Sequence, residues 1–502
     1  MAFSPPRFSF RANNDFESGE ESPEVEETGG GASGHSRPTS SPSVRVSMSR
    51  VVAGWGFGAA FVNITSGAVY TAFARALGAN DFAFGVLAAA LPAMSFLQVI
   101  AAKLVEHSGK RKRQVLIASL IGRALWTLAA VMPLLAETYP GIIPKRDVLN
   151  FVIGCILLAG AFQAFSSPAF MSWMTDLVPS RVRSSFFAHR MQFGTWVAVC
   201  VTVVSGLIAD TYSDIRIYSG LLALAGFCGI FEILVLMRVH EPQSEQENEG
   251  IKVKRKSPSL FDTVMVPLRD APIRKFLLFI SILMISYGFQ GPFLWLYALE
   301  YLELPKTVTG FLLAGVPLIA IGCTTRFWGD VLRRYGNRPV IRFASMIIAL
   351  SSIGWVIARP GAWDVIPIIL IFTGSMAGAI ELANLNLVTG LSPHVPRSSV
   401  AAMLSIASGV SFAIAAWIAG ALAQSLVWIN TSDHDWFGMQ IINYHILFLI
   451  SLGLRLFNAT FVAPQLQEPE STGTIDTMKE IVPELAQAFA ARFTRPLGAR
   501  DD

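Results

Sequence analysis

The sequence predicts an all-α protein that crosses a membrane many times. Hydrophobic residues make up 53% of the 502 residues and charged residues only 15%, whereas a soluble domain carries about 25% charged residues. The apolar residues gather into twelve continuous runs near the spanning length of about 20 residues. Such runs indicate helices, because a lone strand leaves its backbone unpaired in lipid and a barrel strand is shorter and alternating. An internal repeat, described below, groups the twelve predicted helices into two six-helix bundles.

The elements follow one another from a polar tail to a second polar tail. Residues 1–49 are rich in Ser, Pro, Gly and Glu without apolar periodicity, so we expect a disordered tail. The predicted domains are this tail, a bundle over 50–240, a linker over 241–273, a bundle over 274–463 and a tail over 464–502. The twelve predicted spans are 52–73, 82–104, 115–135, 149–173, 191–209, 217–239, 276–299, 308–328, 340–356, 365–387, 400–422 and 441–462.

Two further segments have apolar residues at helical spacing but are too short or too polar to span. Residues 259–268, in the linker, and 475–493, in the second tail, show this pattern. It is typical of amphipathic helices that lie in the membrane interface. We therefore expect one interfacial helix in the linker and one in the C-terminal tail.

Basic residues predict the orientation of the spans. If the N-terminus is cytoplasmic, the loops on that side hold 21 Lys and Arg, with Arg190 among them, and the opposite loops hold six. Cytoplasmic loops of membrane proteins carry the excess of Lys and Arg. We therefore predict that both termini are cytoplasmic and that the protein lies in the inner membrane of a bacterial cell.

The two halves of the chain resemble each other at three places in the same order. Residues 84–87 with Pro92 match 309–312 with Pro317, at an offset of 225. Positions within 179–188 match positions within 393–402 at an offset of 214, and 241–244 match 468–471 at an offset of 227. Six helices separate the copies, so the repeat is parallel, about an axis along the membrane normal.

The loops after predicted spans 2 and 8 carry a recognisable pattern. Residues 106–113 and 329–338 both resemble the loop signature of the major facilitator superfamily, which is a Gly, an acid, a basic residue, a Gly and a basic pair. Ala102, Glu106 and Arg333 depart from that signature. The glycines allow tight turns, and in the family this loop helps to hold one access state. The implied gating residues are Glu106, Gly109, Lys110 and Arg111 with Asp176, and Gly329, Gly336 and Arg338 in the second copy.

The resemblance covers about residues 50–465 and implies a secondary transporter that works by alternating access. It also implies that spans 1, 4, 7 and 10 line the central cavity, and ionisable residues within spans are costly enough to mark function. We expect Glu381 to be functional and to carry a coupling proton, with Glu232 second, and Arg123 to be structural. The candidate substrate and coupling residues are Asn63, Tyr70, Arg123, Gln163, Ser166, Ser167, Tyr287, Gln290, Glu381 and Asn384.

Other functional classes lack their sequence patterns. There is no phosphate-binding Gly-Lys-Ser/Thr loop for ATP-driven transport, no metal-ligand cluster and no nucleophile arrangement, so we expect neither an enzyme nor a cofactor. The expected partners are the lipid bilayer and a small solute, together with protons if transport is coupled. We expect no nucleic acid and a monomer. Drug–proton antiporters of the superfamily usually carry an Arg in helix 4 and a Gly-Pro pair in helix 5. Predicted span 4 has no basic residue and predicted span 5 has no Pro, so the resemblance argues against that subclass. An uncoupled facilitator and a non-transporting sensor on the same fold remain the alternatives.

Overall fold

The computed structural model describes residues 42–139, 144–179, 182–241, 260–390, 395, 397–431, 435–436 and 439–466. Eleven helices in this part of the chain are long and apolar enough to cross a membrane, and a bent pair of helices supplies a twelfth span. The predicted number of spans is therefore confirmed. The expected disorder of residues 1–41 and the helix expected over 475–493 lie outside the described residues.

The first six spans are close to the predicted runs. Span 1 bends by 44° between its two helices at Gly67, and span 2 contains one tight turn over Met94–Phe96. The helices are Pro42–Ser66 and Ala68–Ala76 (span 1), Asp81–Ala93 and Leu97–Ser108 (span 2), Arg111–Thr138 (span 3), Lys145–Leu177 (span 4), Arg183–Thr211 (span 5) and Ile215–Met237 (span 6).

The last six spans follow a short helix, Leu260–Arg269, in the linker. Three of them contain a wider, π-type turn, at Tyr297–Tyr301, Phe311–Gly315 and Asn458–Val462. The helices are Ala271–Leu296 (span 7), Lys306–Gly310 and Val316–Tyr335 (span 8), Asn337–Ile357 (span 9), Val365–Gly390 (span 10), Arg397–Ser425 (span 11) and Asn443–Phe457 (span 12). Asp435–Trp436 and Met439–Gln440 form a short antiparallel pair of strands before span 12.

One boundary differs from expectation for a packing reason. Residues 42–49 belong to the first helix, because Met48 and Val51 are buried against the end of span 6. The linker helix is present, and its Val264 and Leu268 pack against residues of spans 7 and 11, including Ile273. Val264 and Leu268 are half-buried by these contacts, whereas Phe261 of the same helix is 64% exposed.

Local chemistry explains where several helices begin and end. Gly109 follows span 2 with φ +65° and Gly336 follows span 8 with φ +86°, a region that glycine enters without steric cost. Asn80 and Asp270 cap the helices that follow them by accepting hydrogen bonds from the backbone N–H groups of Ala83 and Ile273. Both predicted tight turns are thus present at the predicted glycines.

The packing of the two halves repeats with a shift of six spans. Span 1 packs on spans 5 and 6, span 3 packs on spans 4 and 6, and span 2 packs on span 4. In the second half, span 7 packs on spans 11 and 12, span 9 packs on spans 10 and 12, and span 8 packs on span 10. Every pair in the first list has its counterpart in the second, as the parallel repeat requires.

Candidate transport pathway

We call the end of the molecule that carries the loops after spans 2 and 8 the basic face, and the other end the opposite face. The two halves meet mainly near the opposite face. Span 2 packs on span 11 so closely that a Cβ built on Gly85 would lie 2.6 Å from the Ala416 carbonyl oxygen. On the other side of the pathway, a Cβ on Gly206 of span 5 would lie 2.6 Å from Thr307 Cα of span 8. Small residues permit this closeness.

Two hydrogen-bonded caps join the halves at this end. The Asp210 carboxylate, at the end of span 5, accepts hydrogen bonds from the backbone N–H groups of Lys306 (2.7 Å) and Thr307 (3.0 Å), which begin span 8. At the end of span 11, Gln424 Oε1 accepts from the backbone N–H of Asp81 (3.2 Å), which begins span 2. The offsets of 214 and 225 relate Asp210 to Gln424 and Asp81 to Lys306. We call these two contacts the paired caps.

A charged cluster closes the space between the paired caps. Arg75 donates to Glu300 (Nε to Oε1, 2.5 Å) and to the Tyr444 hydroxyl (2.8 Å), and it pairs with Asp81. Tyr444 Oη donates to Asp81 Oδ1 (2.9 Å), and Asn443 Nδ2 donates to Asp81 Oδ2 (2.8 Å). Arg75 and Asp81 come from the first half and the other three from the second, so the cluster also joins the halves.

The spans separate toward the basic face. The packing of span 2 on span 11 reaches Ser95 and Gly409, and that of span 5 on span 8 ends within Phe311–Gly315. Leu97–Ser108 touches span 11 only slightly, and among the described residues span 4 has no substantial packing on span 10 or span 11. The pathway is therefore closed at the opposite face and open toward the basic face.

The predicted residue Glu381 lies on the open part of span 10. Its side chain is exposed, and it makes no hydrogen bond or ion pair with any described residue. Asn384, one turn further along, is half-buried, and its Oδ1 has no hydrogen-bond partner in the described part of the chain. Gln163 of span 4 is also exposed, and Ser167 donates to its carbonyl oxygen (3.1 Å).

Other predicted residues lie inside the helix packing. Tyr70 is buried with its ring against Trp126 (5.7 Å between centroids), and Ser166 is buried in a 2.6 Å hydrogen bond with Ser119. Gln290 is buried and accepts from Ser352 (3.0 Å). These contacts occupy the three side chains in this conformation.

Asn63 and Tyr287 are the remaining predicted residues of spans 1 and 7. Asn63 lines a cavity of about 30 Å³ beneath the closed end, which is room for a water molecule and too small for a metabolite. Tyr287 has its ring 4.9 Å from the Arg455 guanidinium, and Arg455 is buried among neutral acceptors, with Nη1 donating to Ser352 Oγ (3.1 Å).

Arg123 makes an intramembrane ion pair. Its Nη2 lies 3.2 Å from Glu232 Oε2 of span 6, and the guanidinium lies over the Phe61 ring of span 1 at 3.8 Å. The two side chains are only 12% and 9% exposed. Gly58 and Gly229 supply the space, because a Cβ on Gly58 would overlap the Glu232 carboxylate and one on Gly229 would lie 2.6 Å from Arg123 Cδ.

Arg190 lies in a different place from the one expected. It was expected in a loop, but span 5 begins at Arg183, so Arg190 lies two turns inside the helix. Its guanidinium lies 4.1 Å from the centroid of the Trp55 ring and 5.4 Å from that of Phe170. Span 5 begins at Arg183, before the apolar run predicted at 191–209, so a prediction that extended the helix N-terminally would have included Arg190.

The first gating loop contains an ion pair to span 4. Arg111 Nη1 contacts the Asp176 carboxylate, at the end of span 4. Lys112 is fixed to span 6, since its Nζ donates to the Val239 carbonyl oxygen (2.7 Å). The side chain of Glu106 lies outside the described residues, and Lys110 begins the turn into span 3.

The second gating loop is arranged differently. Asp330 and Arg333 form an exposed pair at 2.9 Å, and no side chain would obstruct a Cβ on Gly329. Gly336 has the positive φ noted above, and Arg338 has a partly buried side chain. The two loops are therefore alike in their turns and unlike in their ion pairs. No group of three or more His, Cys, Asp or Glu side chains in the described part of the chain is placed to hold a metal.

Two pseudo-equivalent six-span halves, closed against each other at one end and apart at the other, define a membrane transporter of the alternating-access class. The sequence pattern of the Major Facilitator Superfamily matches residues 51–416, and the chain belongs to this family. It is thus a secondary transporter of a small solute, as the sequence indicates.

Solved structures share this fold at low sequence identity. The nucleoside transporter NupG is 12% identical, with a TM-score of 0.61 over 84% of this chain and 99% of its own. The inward-open xylose transporter XylE from E. coli is 13% identical, with a TM-score of 0.59 over 87% of this chain and 99% of its own. A bacterial homologue of the human lysosomal transporter Spinster, inward-facing and unoccupied, is 12% identical, with a TM-score of 0.59 over 86% of this chain and 100% of its own. No curated protein matches the chain.

Proposed function

We propose that the protein is a proton-coupled carrier and that Glu381 carries the coupling proton. The observation that carries this proposal is the exposed Glu381 carboxylate, which makes no hydrogen bond or ion pair with a described residue. A charged side chain within a span avoids lipid and faces protein or water. An exposed carboxylate in span 10 is therefore expected to face the open pathway, where it can exchange a proton with water.

The absence of a fixed partner separates Glu381 from the second candidate. Glu232 is held by Arg123 at 3.2 Å and is almost fully buried, so its proton exchange would require breaking a buried ion pair. Such pairs resist the loss of one partner. Glu232 therefore fits a structural role, and Glu381 fits a carrier that must both load and release a proton.

We further propose that the basic face is cytoplasmic, in the inner membrane of a bacterial cell. Lys and Arg are concentrated in the loops at that face, which is the pattern of cytoplasmic loops. The arrangement of the spans is then the inward-open state. The Arg111–Asp176 pair would hold the loop after span 2 against span 4 in this state, consistent with a gating role for that loop.

Glu381→Gln tests the coupling role, since it removes the charge and keeps the size. Screening xylose, uridine, lactate and citrate for thermal stabilisation of the purified protein supplies a transported probe. In proteoliposomes with an inward proton gradient, we expect the variant to lose uphill accumulation of that probe while it retains counterflow exchange. Glu137→Gln is the matched control, because Glu137 is ion-paired to Arg216 on the opposite face and should behave like the wild type.

Two results would count against the proposal. Normal uphill accumulation by Glu381→Gln would indicate that another residue carries the coupling proton. Poor folding together with loss of both activities would indicate that the carboxylate is a structural partner.

A further inference from the structure

We propose that Arg190 is the anion-binding residue of the transport pathway and that the transported solute is a small organic anion, bound through a carboxylate. This inference rests on the proposed function of the same pathway and adds its substrate class. It comes from three observations on the guanidinium: what it stacks on, what it fails to bond, and where it lies.

The guanidinium is held in place by rings and not by hydrogen-bond acceptors. It lies 4.1 Å from the Trp55 centroid, on span 1, and 5.4 Å from the Phe170 centroid, on span 4. Aromatic faces attract guanidinium groups and leave their edges free for hydrogen bonding. The stacking therefore orients the Arg190 fork without using its donors.

Those donors have no hydrogen-bond acceptor among the described residues. Arg190 makes no hydrogen bond with a described residue, and its buried Nε has no partner. The indole Nε1–H of Trp55, in contact with the same guanidinium, also has none. Glu232 is close enough to interact electrostatically with Arg190, but its hydrogen bond goes to Arg123. Unsatisfied donors in a protein interior are costly, and an oxyanion would satisfy several of them together.

Arg190 lies where spans 1, 4 and 5 meet, and among the described residues span 4 has no substantial packing on span 10 or span 11 there. From span 5 it reaches between spans 1 and 4, and it lies seven residues from the start of its helix, or about 10 Å at 1.5 Å per residue. Glu381 lies nine residues from the end of its own helix, or about 14 Å. The repeat relates Phe170 to Asn384 and Ser167 to Glu381, so this cation and this anion lie at similar depth on facing halves.

This arrangement explains why a proton and an anion would be transported together. An ionised Glu381 opposes the binding of an anion at the same depth, and a protonated Glu381 does not. Proton and anion would then load together, with Arg190 holding the carboxylate and Glu381 holding the proton. Arg pairs with carboxylates through two parallel charge-assisted hydrogen bonds, each roughly twice as strong as a neutral one.

The test uses thermal unfolding of the purified full-length protein in detergent. The probes are the potassium salts of acetate, lactate, citrate and sulfate at ionic strength balanced with choline chloride, and uncharged xylose and uridine. We expect at least one carboxylate to raise the wild-type midpoint in a saturable way. In Arg190→Gln the half-saturating concentration should rise about tenfold or more, the loss expected for a charge-assisted hydrogen bond.

Graded variants separate binding from folding. Arg190→Lys keeps the charge but loses the fork, and it should retain part of the response. Trp55→Phe keeps an aromatic ring and removes the indole N–H, and this variant should lose a smaller part of the response to the carboxylate. Arg216→Gln, at an exposed arginine on the opposite face, is the control and should respond like the wild type.

The inference is overturned if Arg190→Gln responds to the carboxylate like the wild type, if only xylose or uridine stabilises the protein, or if no anion does. The last result counts because an open guanidinium on a pathway should bind simple carboxylates at millimolar concentrations. Glu381→Gln distinguishes the two proposals. It should keep the anion response even if it loses proton coupling, so either proposal can fail alone.

Discussion

At the scale of single residues, the intramembrane charges differ in what neutralises them. Arg123 and Glu232 neutralise each other in the packing of spans 1, 3 and 6. Arg455 is surrounded by neutral acceptors and the Tyr287 ring. Only charges without such partners remain available to a solute. This division explains why Glu381 and Arg190 carry the functional proposals.

The Arg123–Glu232 pair should behave as a structural unit. Because removal of one member leaves a buried uncompensated charge, we expect Arg123→Met alone to lower the free energy of unfolding by about 3–5 kcal/mol. The double variant Arg123→Met/Glu232→Met should recover most of that loss. Denaturant unfolding in detergent measures both. Additive losses in the double variant would contradict the pairing seen here.

From the sequence we could predict that Arg123 and Glu381 lie within spans, but not which residues they contact. Arg123 was expected to be structural because it lies in span 3, and Glu381 was expected to be functional because it lies in span 10. Neither the Glu232 partner nor the place of Arg190 was predicted. Such contacts depend on the rotation of each helix about its axis, and continuous apolar runs carry little information about that rotation.

At the scale of elements, the paired caps join the two halves at the opposite face. Each cap satisfies N–H groups at the start of a helix with an acceptor from the other half. Opening the opposite face must break both. The caps therefore contribute directly to the free-energy difference between the two states of the carrier.

Asp210→Ala should shift that balance toward the state that is open at the opposite face. A helix cap contributes about 1 kcal/mol and up to about 2, so the open population should rise about five- to thirtyfold. A cysteine at Asn63, in a variant without the four natural cysteines, should be alkylated correspondingly faster by a membrane-impermeant thiol reagent from that face. Asp214→Ala is the control, because Asp214 caps Arg216 within its own half. Equal alkylation rates in the Asp210 and Asp214 variants would contradict the role of the cap.

Element ends were partly predictable from composition. The turns at Gly109 and Gly336 were expected and are present, because a positive φ strongly favours glycine. The π-type turns in spans 7, 8 and 12 were not expected. They insert into apolar runs without changing composition, so hydropathy and spacing give no sign of them.

At the scale of the whole molecule, alternating access requires the contact between spans 5 and 8 to open and close. A disulfide across it should arrest the cycle. Gly310 and Thr202 are suitable, because a Cβ on Gly310 would lie 2.6 Å from Thr202 Cγ2. Since Cγ2 is bonded to Cβ, the two Cβ atoms would be about 4 Å apart, within the 3.5–4.5 Å that disulfides span.

Thr202→Cys/Gly310→Cys, again without the natural cysteines, should therefore lose nearly all transport on oxidation and regain it with a reducing agent. Each single variant should show no such reversible loss under the same oxidant. Continued transport with the disulfide formed would mean that this contact does not open during the cycle.

The two seams that close the opposite face are not chemically equivalent, although the repeat relates them. The seam between spans 5 and 8 is held by the Asp210 carboxylate beside Lys306, whereas the seam between spans 2 and 11 uses the neutral amide of Gln424. Dissolved salt screens the first kind of contact and leaves the second nearly unchanged. Of the two caps, the ionic strength of the solution at that face therefore acts mainly on the one beside span 5, and a saline environment would weaken that cap first.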